Sequence, residues 1–266
     1  FILVFGVEGY IPAMNIQGAA YASLISQGIM AILALILLIS KTKISLKLKF
    51  PLHPELYRLI GMALNLFVRT IALNLALYLA NSFATDYGAS YIAAQTILIN
   101  IWLFSAFFID GYAAAGNILA GKLLGAKDYK GLWDLSKKVT VYGLIVAVFL
   151  MVLAVFLYKP LGLIFSKEPE VIARYSALFF IVILMQPLNA IAFIFDGIFK
   201  GMGEMKYLRN VLLLATFFGF VPALFIGDYF GLKLYAVWIA FSVWMIIRGG
   251  ALIIRFRKKF KPKLST

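Results

Sequence analysis

The chain has 266 residues, of which 64% are hydrophobic and 14% charged, with a formal net charge of +14 and no cysteine. Soluble domains carry about 45–50% apolar and about 25% charged residues, so this composition excludes a water-solvated globule and points to lipid as the solvent. The absence of cysteine excludes a disulfide framework or thiolate metal site. The cations fall in short runs between apolar segments, unlike a nucleic-acid-binding face.

The first residues, Phe1 to Phe5, read as the tail of an earlier helix, and the chain as a fragment. Seven spans follow, each near the roughly 20 apolar residues a crossing needs. They run from Gly18 to Ile39, Leu56 to Leu79, Tyr91 to Leu119, Val139 to Tyr158, Ile172 to Phe199, Val211 to Ile226 and Leu234 to Ile254. Every second loop is basic. Lys41, Lys43, Lys47 and Lys49 follow the first span, Lys122, Lys127, Lys130, Lys137 and Lys138 the third, and Lys206 and Arg209 the fifth; Arg255, Arg257, Lys258, Lys259, Lys261 and Lys263 close the chain. Positive charge marks the cytoplasmic side, which places these loops and the C-terminus inside, as in a prokaryotic plasma (inner) membrane.

NIQGAAYASLIS around span one and GLKLYAVWIAFS around span seven align without gaps, Ala20 on Ala236 and Ser26 on Ser242. The identity is thin. If it is a true repeat, the two spans are equivalent last helices of two lobes. The domains expected are 1–39, the end of a first lobe; 40–55, a basic cytoplasmic inter-lobe loop; 56–255, a six-helix second lobe; and 256–266, a basic cytoplasmic tail.

Polar side chains are costly in lipid unless they face protein or a wet cavity. At about 100° per residue, span five places Gln186, Asn189, Asp196 and Lys200 on one stripe, and span three does the same with Gln95, Asp110 and Asn117. Span two carries Asn65 and Arg69 on one stripe, with Thr70, Asn74 and Asn81 on another. These three spans are expected to line a shared cavity, while spans four, six and seven face lipid. Arg69 lies about 18 Å along its helix, near mid-bilayer. Asp110 and Asp196 share the patterns FFIDG and FIFDG, each acid beside a glycine that permits close helix approach. Two readings of these charges stay open: a structural pair of Arg69 with one aspartate, or a carboxylate that changes proton or partner during transport. Asp196 and Lys200 can also pair locally. Arg248 is expected to snorkel to its helix end.

Pro187 removes a backbone hydrogen bond mid-span and bends span five; Pro222 can kink span six. Tyr10, Tyr87, Tyr91, Tyr229 and Trp238 read as interfacial anchors. Phe67, Phe104, Phe107 and Phe193 are candidates for an apolar cavity wall. No metal-ligand cluster, phosphate loop or complete nucleophilic triad is present, and the single histidine, His53, stands alone near Glu55.

The stretch DGYAAAGNILAGKLLGAKD, Asp110 to Asp128, resembles the eighth helix and following loop of the multidrug and toxic compound extrusion (MATE) family. MQPLNAIAFIFDGIFKGMGEMKYLRN, Met185 to Asn210, is similar to the tenth helix and loop of its DinF-like branch. NIQGAAYASLIS resembles the start of that family's sixth helix, and FVRTIAL around Arg69 its seventh. The likeness implies an all-α polytopic bundle: the six-helix second lobe of a twelve-helix transporter, plus the last helix of the first lobe. It implies a cation-coupled antiporter, working by alternating access, that exports organic, often cationic or amphipathic, compounds, and no enzyme. Helix seven here offers Arg69, Asn65 and Asn74 instead of an acid, so proton coupling is favoured over sodium and no cofactor or metal is expected. The expected partners are a small organic substrate, the bilayer and the remaining first lobe. A lipid-linked precursor or polysaccharide flippase of the same superfamily would show a more cationic cavity. A membrane-embedded acyltransferase-like enzyme would need an acid or histidine cluster at the membrane edge.

Overall fold

Long apolar runs in lipid satisfy their backbone polar groups by closing helical bonds, and the described residues are helical nearly throughout. The computed structural model describes residues 2–6, 12, 14–41 and 55–264, and contacts divide the chain into two units, Phe1–Pro54 and Glu55–Thr266. Tyr10, Lys43, Lys47, Lys49, His53 and most of the basic 40–55 loop lie outside the described residues. In the first unit, α1 (Ile2–Phe5) meets α2 (Asn15–Lys41) at Gly18, where a Cβ would stand 2.0 Å from the Leu3 carbonyl oxygen. Only glycine fits there.

The second unit is a lobe of six spans: α3 (Glu55–Asp86), α4 (Ala89–Gly125), α5 (Tyr129–Phe156), the bent pair α7 (Pro169–Leu184) and α8 (Gln186–Gly201), the pair α9 (Met205–Ala215) and α10 (Val221–Tyr229), and α11 (Leu234–Phe260). A short helix α6 (Tyr158–Phe165), not expected from the sequence, joins α5 to α7. Tyr175 holds it, donating its hydroxyl to the Tyr158 carbonyl at 3.1 Å and packing its ring against Gly162.

Several helices outrun the spans read from hydropathy. Helix α3 continues past Leu79 because Ala72, Ala76, Ala80 and Ala84 form a buried ridge of small residues that lets neighbouring helices approach closely. Helix α5 starts at Tyr129, not Val139, where Asp128 accepts from the Gly131 N–H at 2.8 Å and caps the helix. Helix α11 runs through Phe260, so the boundary expected at residue 255 falls inside a helix. Phe256 and Phe260 are buried, and Phe256 stacks on Trp133 at 5.8 Å.

The two prolines act differently. Pro187 sits in the first turn of α8, and α7 and α8 meet at 49° around Met185. Before Pro222, residues Thr216–Phe220 form a π turn and the helix runs on as one span. An inserted π turn absorbs a register change without a break. At the end of the lobe away from the lysine-rich loops, Tyr87 donates to Asp228 Oδ1 at 2.6 Å; burial first, then this bond, raise the hydroxyl above the ordinary tyrosine range. Trp238 is no interfacial anchor. It is fully buried and donates to Gln95 Oε1 at 2.9 Å. Trp238→Phe is expected to cost about 1–3 kcal/mol by orphaning a buried amide, measurable as a lower thermal midpoint.

Candidate functional site

Helix α8 presses most closely on α4. Gly197 and Gly201, one turn apart, lie under the Ala113 and Asn117 carbonyls, where added Cβ atoms would stand 2.2 and 2.0 Å from those oxygens. This contact sets the position of Asp196, the residue before Gly197.

The Asp196 carboxylate is buried and ringed by cations. Arg69 Nη2 of α3 donates to Oδ1 at 2.6 Å, Lys200 Nζ meets Oδ2 at 2.9 Å, and Arg248 Nη2 of α11 lies 3.8 Å from Oδ1. Arg69 is about 21 Å along α3 at 1.5 Å per residue. The structural pair expected for Arg69 and the local pair expected for Lys200 therefore share one acid. Arg248 does not snorkel. Because α11 continues to Phe260, Arg248 sits about 18 Å from the helix end, where it is 2% exposed. Its guanidinium lies over Trp244 at 4.6 Å and near Phe193 at 5.7 Å, contacts of the cation–π type.

Asp110 is exposed on α4 and, among the described residues, makes no hydrogen bond or ion pair; Lys200 and Asp196 lie within its electrostatic reach. Asn65, one turn before Arg69, accepts from Arg209 Nη1 at 2.7 Å and donates to the Gly61 carbonyl at 2.6 Å. Asn117 is partly buried at the α4–α8 crossing.

The three remaining amides are not on an open cavity wall. Gln95, Gln186 and Asn189 are all buried, with Asn189 Nδ2 placed 3.4 Å from Gln186 Oε1 at the Pro187 bend. The expectation of one vestibule lined by all the polar stripes is thus corrected. Helix packing encloses Gln95, Gln186 and Asn189, while the ionic residues draw in α11, a helix expected to face lipid. Phe67, Phe104 and Phe107 are exposed, and Phe193 packs beside Trp102. Phe104 and Phe107, with Leu150, Leu153 and Phe165, border a hollow of about 550 Å³ between α4, α5 and α6. Among the described residues no group of three His, Cys, Asp or Glu could hold a metal ion.

Sequence reasoning missed Arg248 as a member of the ionic group. Two signals were available: Trp244 one turn before it, and Leu252, Phe256 and Phe260 continuing an apolar stripe through the basic residues.

Six apolar spans, three of which contribute side chains to a buried ionic group, define a helical bundle of an integral membrane protein. The MatE family model matches residues 66–225, and the chain belongs to that family, whose members are transporters and not enzymes. The chain is 31% identical over 259 residues to Protein DETOXIFICATION 45, chloroplastic, of Arabidopsis thaliana, covering 93% of this chain and 43% of that protein. It is 22% identical to the DNA damage-inducible protein F of Escherichia coli (strain K12), covering 93% of this chain and 54% of that one. It spans about half the length of these relatives. A multidrug resistance MATE family transporter of the MOP superfamily, solved in an outward-facing conformation, superposes with a TM-score of 0.86 at 17% identity, over 100% of this chain and 60% of that one. That likeness shows a shared fold.

Proposed function

We propose that this chain is the second lobe, with the last helix of the first, of a cation-coupled antiporter that exports small amphipathic organic compounds by alternating access. The proton is the coupling ion, and the DinF-like branch is the assignment within the family. The observation that carries this reading is the ionic group of Arg69, Asp196, Lys200 and Arg248 inside the spans. Charge at that depth is expensive and marks substrate or ion paths. Asp110 supplies the proton exchange: it is exposed beside the group and lacks a direct partner among the described residues, and its charge competes with Asp196 for Lys200. The alternation of basic loops supports a topology with those loops and the C-terminus cytoplasmic, and the bacterial relative supports a prokaryotic plasma membrane.

Cells making the full-length protein are expected to accumulate less of an amphipathic dye than cells making an inactive variant, and a protonophore should abolish the difference. Asp110→Asn should cut the export rate about 100-fold or more, in line with the roughly 10²–10⁴-fold contribution typical of proton-transfer groups, whereas Asp228→Asn at equal expression should cost much less. No dye in a broad panel showing export, or equal rates for both variants, would overturn the reading.

A second reading, a flippase for lipid-linked precursors, gains weight from Arg248 and Lys200, which make the ionic group more cationic than Arg69 alone.

A further inference from the structure

Asp196 is outnumbered. Arg69, Lys200 and Arg248 converge on it from three helices, leaving an excess of two positive charges in the lobe interior. Asp110, the next acid in electrostatic reach, reduces the excess to one.

The guanidiniums are also short of acceptors. Arg69 Nε is buried and unpartnered among the described residues, on a residue only 8% exposed. Arg248 Nη2 lies 3.8 Å from Asp196, beyond hydrogen-bond range, and its Nη1 donates to Met245 Sδ at 3.5 Å, a weak acceptor. An arginine carries five N–H donors in a rigid fork matched to oxyanions, and burying unpaired charge is costly. One further oxyanion would relieve both the charge excess and the donor excess.

We infer that Arg69, Lys200 and Arg248 form a binding site for an oxyanion, a carboxylate or phosphate carried by a small organic solute. The assignment rests on the transport reading above and gives it a substrate class. Lys200 is the most accessible of the three: its side chain is 36% exposed, against 10% for Arg69 and 3% for Arg248. A group exposed through one lysine suits a single anionic group on a compact solute, not the bulk of a glycosylated lipid pyrophosphate. Trp244 under the Arg248 guanidinium fixes the plane of that fork, and Phe193, 5.7 Å from it and 6.3 Å from Trp102, offers an apolar wall for the rest of the solute. The site thus selects an amphipathic organic anion and repels a cation of similar shape.

The probe is carboxyfluorescein, with a cationic rhodamine of similar size as control, bound to the full-length protein in lipid nanodiscs and followed by fluorescence polarisation. The wild type should bind the anion and not the cation. Lys200→Gln should weaken the anion about tenfold, ~1.4 kcal/mol, and Arg248→Lys should retain more affinity than Arg248→Gln. Asp110→Asn removes a competing negative charge and should tighten binding by a similar factor. Opposite shifts in these two exposed-edge variants are not expected of a structural role, and both leave the buried Asp196 in place. Soluble benzoate should displace the probe. Absence of anion binding by folded wild-type protein, or equal affinities for Lys200→Gln and Asp110→Asn, would overturn the site. Displacement by vesicles containing polyprenyl phosphate but not by benzoate would overturn the small-solute assignment in favour of a lipid phosphate. If these affinities hold while gradient-driven export fails, the antiporter reading falls and the anion site stands.

Discussion

Asp196→Asn is expected to lower the unfolding free energy of the full-length protein in mixed micelles by about 3–5 kcal/mol, the usual cost of leaving a buried charge unpaired. The asymmetry of the cluster sets the size. Arg69, Lys200 and Arg248 all rely on this carboxylate, and the asparagine amide cannot offset their charge. Arg69→Gln should cost less, about 1.5–3 kcal/mol for one lost hydrogen bond to a charged group, because Asp196 keeps Lys200 at 2.9 Å and Arg248 at 3.8 Å. The double variant should cost less than the sum of the two, as residues in one network are not additive. Equilibrium unfolding of the three variants checks this. If Asp196→Asn unfolds with the wild type, the carboxylate is not what holds the cations inside.

The sequence made most of the architecture legible because lipid leaves few options. Seven apolar runs and an alternation of basic loops are strong signals, and a bilayer-spanning chain has little freedom but to make helices of them. What hydropathy could not mark was where a helix stops after leaving the apolar zone. At α5 the relevant signal was Asp128, a cap separated from the apolar run by Lys130, Lys137 and Lys138. At α11 it was the stripe of Leu252, Phe256 and Phe260 among Arg255, Arg257, Lys258 and Lys259. The second omission propagated. A helix ending near residue 254 lets Arg248 reach an interface, whereas one ending at Phe260 buries it against Trp244, and the ionic group gains a second excess positive charge.

The angular reading of the polar stripes gave mixed results for a related reason. It brought Arg69 and Asp196 to facing sides of α3 and α8, where they meet. It could not distinguish a polar face turned to a wet cavity from one turned to another helix, since both avoid lipid. Gln95 shows the difference. Its stripe partner Asp110 is exposed on the same helix, while Gln95 is fully enclosed under Trp238. A tryptophan on a distant span was the missing information, and no local pattern in α4 contains it.

The twin motifs FFIDG and FIFDG lead to the other large effect, since near-identical local patterns take opposite roles. Gly197→Ala is expected to destabilise the protein by about 3 kcal/mol, the upper end for overpacking, while Gly111→Ala should be neutral or stabilising by up to about 1 kcal/mol, the helix preference of alanine over glycine. A Cβ on Gly197 would lie 2.2 Å from the Ala113 carbonyl oxygen and 2.8 Å from its carbon, whereas one on Gly111 meets nothing within 4 Å. Backbone cannot swing aside as a side chain can, so α4 and α8 must separate. Gly201 has the same geometry against Asn117, at 2.0 Å, and Gly201→Ala should behave like Gly197→Ala. Separation also moves Asp196 relative to Arg69, whose 2.6 Å contact depends on that crossing, so both variants should lose anion affinity together with thermal stability. Thermal unfolding and probe binding on the same samples test the link. A stable Gly197→Ala protein would mean that α4 and α8 do not meet as closely as their carbonyl-to-glycine contacts require.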